Sequence, residues 1–317
     1  MQGIKQLTDI DIREIIPVIN WKSFFRVWKM SGKYDGIGTF DDETTWLNQF
    51  PETDRAKANE ALKLFRDAQK MLCRFLDEKI IRANAVFGIL PACSDGNDII
   101  IKNGLQKTVI PTLRQQQPSN DGFCYSLADF LHEKDDFIGV FSCTILGADE
   151  FSAQFEQEND VYNALLVSSL ADRLVEATSE WLHFQARKSF LSIHFDEVFD
   201  VERLLKNQYP GIRPAVGYPS LPDQSIIFDL NSILKFDENG IKLTENGAMS
   251  PASSVCGLYF FHPKSKYFIV GKIDEIQLVD YASRRGKTMD EMGKWLNVDN
   301  STEIAPFEIY LKKSFSY

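Results

Sequence analysis

Eleven residues constrain this chain more than any others: Tyr209-Pro210-Gly211-Ile212-Arg213-Pro214-Ala215-Val216-Gly217-Tyr218-Pro219. Three prolines remove backbone donors and two glycines loosen the conformation around them, so the passage can be neither helix nor regular strand. A loop this stiff shapes a surface, and the elements on either side must be arranged around it. Upstream, residues 149–188 carry Leu166, Leu170, Leu174, Ala177 and Trp181 on one helical stripe, and a run of that length predicts two helices or one bent helix. Downstream, residues 254–260 and 267–273 are β-rich runs joined by Phe261-His262-Pro263-Lys264-Ser265-Lys266, the pattern of an antiparallel hairpin. Short helices are expected after it, near 275–284 and 288–296.

The first fifty residues include Trp21, Phe24, Phe25, Trp28, Tyr34, Phe40, Trp46 and Phe50 and must pack on something. Across 55–81 the positions Ala61, Leu62, Phe65, Ala68, Leu72, Phe75 and Leu76 recur at helical spacing, which predicts a long amphipathic helix. Residues 85–90 read as a buried strand, 91–97 as a turn, 98–102 as the β-branched partner and 137–141 as a third strand. Strands and helices interleave without the regular alternation of a doubly wound sheet, so the expected class is α+β with an antiparallel or mixed sheet. One unit is expected over 1–317, helical over about 1–82 and α+β over about 83–317.

Composition narrows the function. A net charge of −10 argues against nonspecific nucleic-acid binding, which needs clustered Lys and Arg. No apolar run approaches the roughly 20 residues of a membrane span, and acidic residues stand where a secretory signal would be apolar, so a cytoplasmic protein is expected. Five cysteines without a Cys-x-x-Cys pair suggest neither a disulfide framework nor zinc. Phosphate loops, dinucleotide fingerprints, His-Glu-x-x-His and nucleophile elbows are all missing. The four histidines, His132, His183, His194 and His262, are read as structural, and Asp172, Glu176 and Glu180, four residues apart on one helix face, as a solvated acidic face.

Arg213, planted between Gly211 and Pro214, projects a planar fork from a backbone with little freedom. Taken alone it is either an anion-recognition residue or a structural ion pair. Gly217 gives a ligand room at the main chain, Tyr218 adds an aromatic with a hydroxyl, and Tyr267 can stack on a planar ring or fill the core.

At this loop the residues become recognisable. Arg-x-x-x-Gly-Tyr, here Arg213 to Tyr218, resembles the S-adenosylmethionine-binding motif of the activation domain of cobalamin-dependent methionine synthase. Other motifs of that domain follow in order: Phe24-Phe25 with Gly32-Lys33-Tyr34, Leu113-Arg114-Gln115-Gln116, Leu127-Ala128-Asp129-Phe130 and Asp136-Phe137-Ile138-Gly139-Val140-Phe141. Beyond them come Ala171-Asp172-Arg173-Leu174-Val175-Glu176-Ala177, Leu243-Thr244-Glu245, Tyr259-Phe260 with His262-Pro263, Tyr267, and Asp280-Tyr281-Ala282. The likeness spans about 10–296.

The resemblance implies a C-shaped α+β fold with a helical N-terminal part and a twisted antiparallel sheet. It implies a module that binds S-adenosylmethionine and supplies a methyl group when oxidised cob(II)alamin is reductively reactivated. The cobalamin is carried by a partner, the cobalamin-binding part of the synthase, and the electron comes from a flavodoxin-type reductant. By the same resemblance Arg213 holds the methionyl carboxylate, Ala215, Val216 and Gly217 line the ligand, and Tyr218 faces the cobalamin. Tyr267 and Phe268 stand at ligand contacts, Glu176 at an acidic position near the groove, and Asp172 on the docking face. Asn20 occupies the place of a family Asp that holds the ligand's amino group. Gln224-Ser225-Ile226 stands where the family often has a His and a charged residue. These two departures motivate a rival reading, a corrinoid-protein docking or chaperone module that has lost the ligand. A methyltransferase acting on another acceptor is weaker, because no general base converges on the motif. Lacking the zinc, folate and Asp-x-His-x-x-Gly elements of a whole synthase, the chain is expected to be an accessory that acts in trans.

Overall fold

The computed structural model describes residues 3–30, 32–40, 42–190 and 198–296. The chain opens with strand β1 (Gly3–Ile10), so the segment read as helical begins with a strand. Helices α1 (Ile12–Ile15), α2 (Trp21–Val27) and α3 (Glu43–Asn48) follow, each entered through a side chain that accepts an otherwise unpaired backbone N–H: Asp11, Asn20 and Asp42. Helix α4 (Glu52–Asp77) buries Ala58, Ala61, Leu62, Phe65, Ala68, Leu72 and Phe75, the face that the periodicity predicts.

Strands β2 (Arg82–Asp95), β3 (Asp98–Asn103), β4 (Gln106–Pro111) and β5 (Asp136–Leu146) build the sheet. β2 extends beyond the expected 85–90 and takes in most of the predicted turn. Asp95 pairs with Asp98, so the turn narrows to Gly96-Asn97, with Gly96 at φ 59° where glycine is favoured. β2 is the spine of the sheet: β5 runs along one edge from Arg82 to Ala92, while β1 and then β3 share the other. Pro91 falls between those two partners, where its missing N–H leaves no ladder bond unmade on that edge.

After β5 come α5 (Ala148–Gln157) and α6 (Val161–Gln185), two helices as the length predicted, and then α7 (Val201–Leu205) and α8 (Ile226–Leu234). A two-stranded ribbon, β6 (Lys242–Leu243) with β7 (Met249–Ser250), precedes β8 (Ser254–Tyr259), which pairs antiparallel with β5. Helices α9 (Glu275–Arg285) and α10 (Met289–Leu296) complete the described chain.

Alternate residues of β2 enter opposite cores. Ala83, Ala85, Phe87 and Ile89 join the cluster of α4 and α6, whereas Val86, Leu90 and Ala92 join that of α8, α9 and α10. Both faces of the sheet are covered along β2, β5 and β8, which is why those strands read as nearly unbroken apolar runs. The α+β class and the antiparallel sheet stand as expected.

The predicted 254–260/267–273 hairpin does not form, because the stiff loop occupies the outer edge of β8. Ile212 pairs with Phe260 and Ala215 with Gly257. Residues 267–273 lie beyond that loop without forming a strand: the Val270 N–H donates to the Pro219 carbonyl at 3.0 Å and the Phe268 N–H to Ser220 Oγ at 3.2 Å.

Candidate functional site

Three layers make the site: helix α6, the loop 209–221 above it, and the segment around Tyr267. α6 starts at Asp160, whose side chain accepts from the Asn163 N–H, and it is buried nearly all round. The N-terminal helices reach across to it, Trp28 Nε1 donating to Ser169 Oγ at 3.2 Å and Trp181 Nε1 to Glu14 Oε2 at 3.2 Å. Its acidic stripe is therefore not a solvated face. Asp172 accepts from Ser253 Oγ at 2.9 Å, and burial raises its carboxyl above the ordinary range. Glu176 accepts from the Tyr218 hydroxyl at 2.7 Å, and Glu180 from Arg213 Nη2 at 3.1 Å. Each carboxylate thus meets a group above the helix.

The loop is laid along β8 by backbone bonds. Val216 N donates to Cys256 O at 3.0 Å and Leu258 N to Pro214 O at 3.0 Å. A Cβ at position 257 would lie 2.3 Å from the Pro214 carbonyl oxygen, so only glycine in β8 lets the loop come this close. Gly211, at φ 96°, is equally constrained, with Phe260 O 2.3 Å from the place of its Cβ. Gly217 is set by conformation rather than space: its φ is 84°, and its N–H is committed to Leu221 O at 2.8 Å.

Beneath the loop, Tyr259 lies between Phe141 and His183, with ring centroids 4.4 Å and 4.7 Å away and planes within 6° and 5°. Gly139 makes room for it, since a Cβ there would fall 2.7 Å from that of Tyr259. His183 is fully buried with neither ring nitrogen hydrogen-bonded, and burial, reinforced by Arg187 and Arg213, lowers its pKa well below the ordinary value, so the ring is neutral. It meets Tyr209 edge-on at 5.3 Å.

Arg213 is the centre of the arrangement. Its backbone N–H donates to the Tyr267 hydroxyl at 2.8 Å, and its side chain, 12% exposed, lies 3.6 Å from Glu176 and 3.1 Å from Glu180. Burial works against the charge, but the two carboxylates outweigh it and hold the guanidinium protonated far above any physiological pH. The Glu176 charge and burial together raise the Tyr218 phenol, which stays a donor. Tyr218 and Tyr267 turn their hydroxyls inward and leave ring surface in solvent, 39% and 43% exposed. Arg213 Nε and Glu180 Oε1 are buried without hydrogen-bond partners.

Of the residues singled out in the sequence, Glu176, Arg213, Tyr218 and Tyr267 come together, with Ala215, Val216 and Gly217 forming the loop that carries them. Phe268 lies in the core beside Tyr125 and Phe130. Asn20 is exposed and its Oδ1 accepts from the Ser23 N–H at 3.0 Å, so it serves as the cap of α2. Gln224 packs near Gly217, and Ser225 receives a hydrogen bond from Arg285. Sequence reasoning put Glu180 on the acidic stripe, Tyr209 in the loop and His183 among the structural histidines, but did not bring them together at Arg213. Their signal was present in an α6 apolar on more than one face, and in Gly257 standing inside a strand. His132 and His262 face each other at 6.2 Å, while His194 lies outside the described residues. Among the described residues no group of three or more His, Cys, Asp or Glu is placed to hold a metal, and no helix is long and apolar enough to cross a membrane.

A family model described as vitamin B12 dependent methionine synthase, activation domain, matches residues 11–286. Among solved structures, the MetH reactivation domain bound to AdoHcy is similar at 36% identity with a TM-score of 0.82, over 93% of this chain and 90% of that one.

Proposed function

The chain belongs to the activation-domain family of vitamin B12 dependent methionine synthase, and from that premise we propose that it holds S-adenosylmethionine and presents its methyl group to a cobalamin carried by a partner protein. The observation that supports this reading most is Arg213, a guanidinium set by a rigid loop whose Nη1 is met only loosely, by Glu176 at 3.6 Å. A planar fork of this kind suits the carboxylate of an α-amino acid. The similar solved structure holds AdoHcy, which carries that same carboxylate.

The residues present fit such a ligand. Arg213 receives the carboxylate, and the exposed ring of Tyr267 offers a flat surface for a planar base. The N–H groups of Val216 and Gly217 are already committed to Cys256 and Leu221, so the loop contributes surface and carbonyls rather than donors. Tyr218, half out of the surface and held by Glu176, forms the rim toward the partner. Bound S-adenosylmethionine supplies a methyl group activated by its sulfonium, so the work of this chain is to bind, orient and limit water. The electron for reactivation reaches the partner from a flavodoxin-type reductant.

Calorimetric titration with S-adenosylmethionine tests the proposal. Saturable binding is expected, lost in Arg213→Ala and tightened about fivefold in Asn20→Asp, where a charge-assisted contact replaces a neutral one. Adding the chain as a separate protein to a cob(II)alamin synthase with an electron donor, and measuring recovery of methylation, reads action in trans. One observation favours the docking-module reading: Asn20 is neutral where the family has an acid to hold the ligand's amino group. Capture of a corrinoid partner without S-adenosylmethionine binding by the wild type or Asn20→Asp would establish that alternative.

A further inference from the structure

Arg213 treats its two carboxylates unequally. Glu180 accepts a hydrogen bond of 3.1 Å from Nη2 and is only 10% exposed. Its Oε1 and Arg213 Nε are both buried and unpaired, so a small shift makes the pair a two-bond fork. Glu176 lies 3.6 Å from Nη1, beyond hydrogen-bond reach, and is 26% exposed. It also holds a second partner, the Tyr218 hydroxyl at 2.7 Å, and can leave Arg213 without being orphaned. Glu180 is the fixed partner and Glu176 the loose one.

Resting on the ligand reading above, we infer that Glu176 is an internal competitor: its carboxylate faces the Nη1 edge of Arg213 that the ligand's α-carboxylate takes, and the two exchange on binding. Two acids already share one guanidinium, so an incoming third is repelled until Glu176 draws back from Nη1, keeping its bond to Tyr218. Glu180 positions the fork and stays in place. Removing one acid or the other therefore shifts carboxylate recognition in opposite directions.

The test is calorimetry on the full chain with AdoHcy and with its analogue lacking the α-carboxyl group, read as the preference for the first over the second. Thermal melting checks that each variant is folded. In Glu176→Gln the preference is expected to rise about fivefold, the effect of one charge-assisted contact, and in Glu180→Gln to fall by a similar factor. Should Glu176→Gln fail to fold, Glu176→Ala makes the same test. A preference unchanged or lowered by loss of Glu176, or not lowered by loss of Glu180, overturns the inference while leaving the ligand reading intact. AdoHcy binding by none of the proteins overturns the reading and the inference with it. Binding that appears only when Glu176 is removed supports competition in its strongest form.

Discussion

Two buried arginines on opposite faces of the sheet show how differently this molecule uses the same chemistry. Arg285, on α9, is the more fully held: Nη1 donates to Asp229 at 2.6 Å and Nη2 to Ser225 Oγ at 2.8 Å, while Nε lies 3.2 Å from Asp223 without a hydrogen bond. Asp223, 1% exposed, also accepts from the Tyr281 hydroxyl and the Ser225 N–H, each at 2.8 Å. Arg213 makes one side-chain hydrogen bond and one looser contact, and an unpaired atom remains on either side of that pair. The first cluster closes both terminal nitrogens of its arginine on acceptors of the chain and ties α9 to α8 and the loop before it. The second keeps Nη1 in reserve, met by Glu176 only at 3.6 Å, and a donor left loose in this way suits a ligand that completes it. Spare valence at a well-held position separates a site from a strut.

The largest effect should follow from breaking the strut. Arg285→Met leaves Asp223 and Asp229 without their counter-charge, which is expected to cost about 3–5 kcal/mol in urea unfolding. Folded protein should bind AdoHcy within about twofold of wild type, so a binding loss larger than the stability loss explains would erase the distinction. Arg213→Ala inverts the pattern: a smaller stability cost of about 2–3 kcal/mol, because Glu180 loses its counter-charge while Glu176 keeps Tyr218 and solvent, with ligand binding abolished. Equal destabilisation by the two substitutions would mean that Arg213 is a strut as well.

How much of this was legible in the sequence follows the range of the interactions involved. Helix α4, the paired helices α5 and α6, and the stiffness of the loop are local consequences of periodicity and of proline, and they could be read directly. The neighbour of β8 could not. Adjacent β-rich runs form hairpins by default, and only a competitor some forty residues upstream, admitted by Gly257, displaces 267–273 from that edge. The site divides in the same way. Arg213 announced itself by its rigid setting, but spacing along α6 gives the direction in which Asp172, Glu176 and Glu180 point and not what covers them. Their burial depends on Ser253, Tyr218 and the loop, none of which lies near α6 in sequence.

Asp172 offers the smallest and sharpest test, because it belongs to the stripe yet pairs with a hydroxyl instead of an arginine. Burial raises its pKa in the folded protein above the unfolded value, with the Ser253 hydrogen bond and Arg173 only partly opposing. A raised carboxyl pKa contributes stability below the unfolded pKa, near 4, and loses it as pH rises through the folded value. At pH 7 the ionised carboxylate is therefore a net cost, unlike Glu180, which has a guanidinium to face. Asp172→Asn keeps an acceptor for Ser253 and removes the charge, so it should stabilise the fold by roughly 0.5–1 kcal/mol at pH 7, as removals of unfavourable charge commonly do. The gain should shrink as pH falls through the raised pKa of folded Asp172, where the wild type takes up its proton. Urea midpoints at pH 7, 5.5 and 4 measure this directly. A loss of stability at pH 7 would mean that Arg173 pairs with Asp172 strongly enough to make it a strut after all, and the line between strut and site would then run through α6 itself.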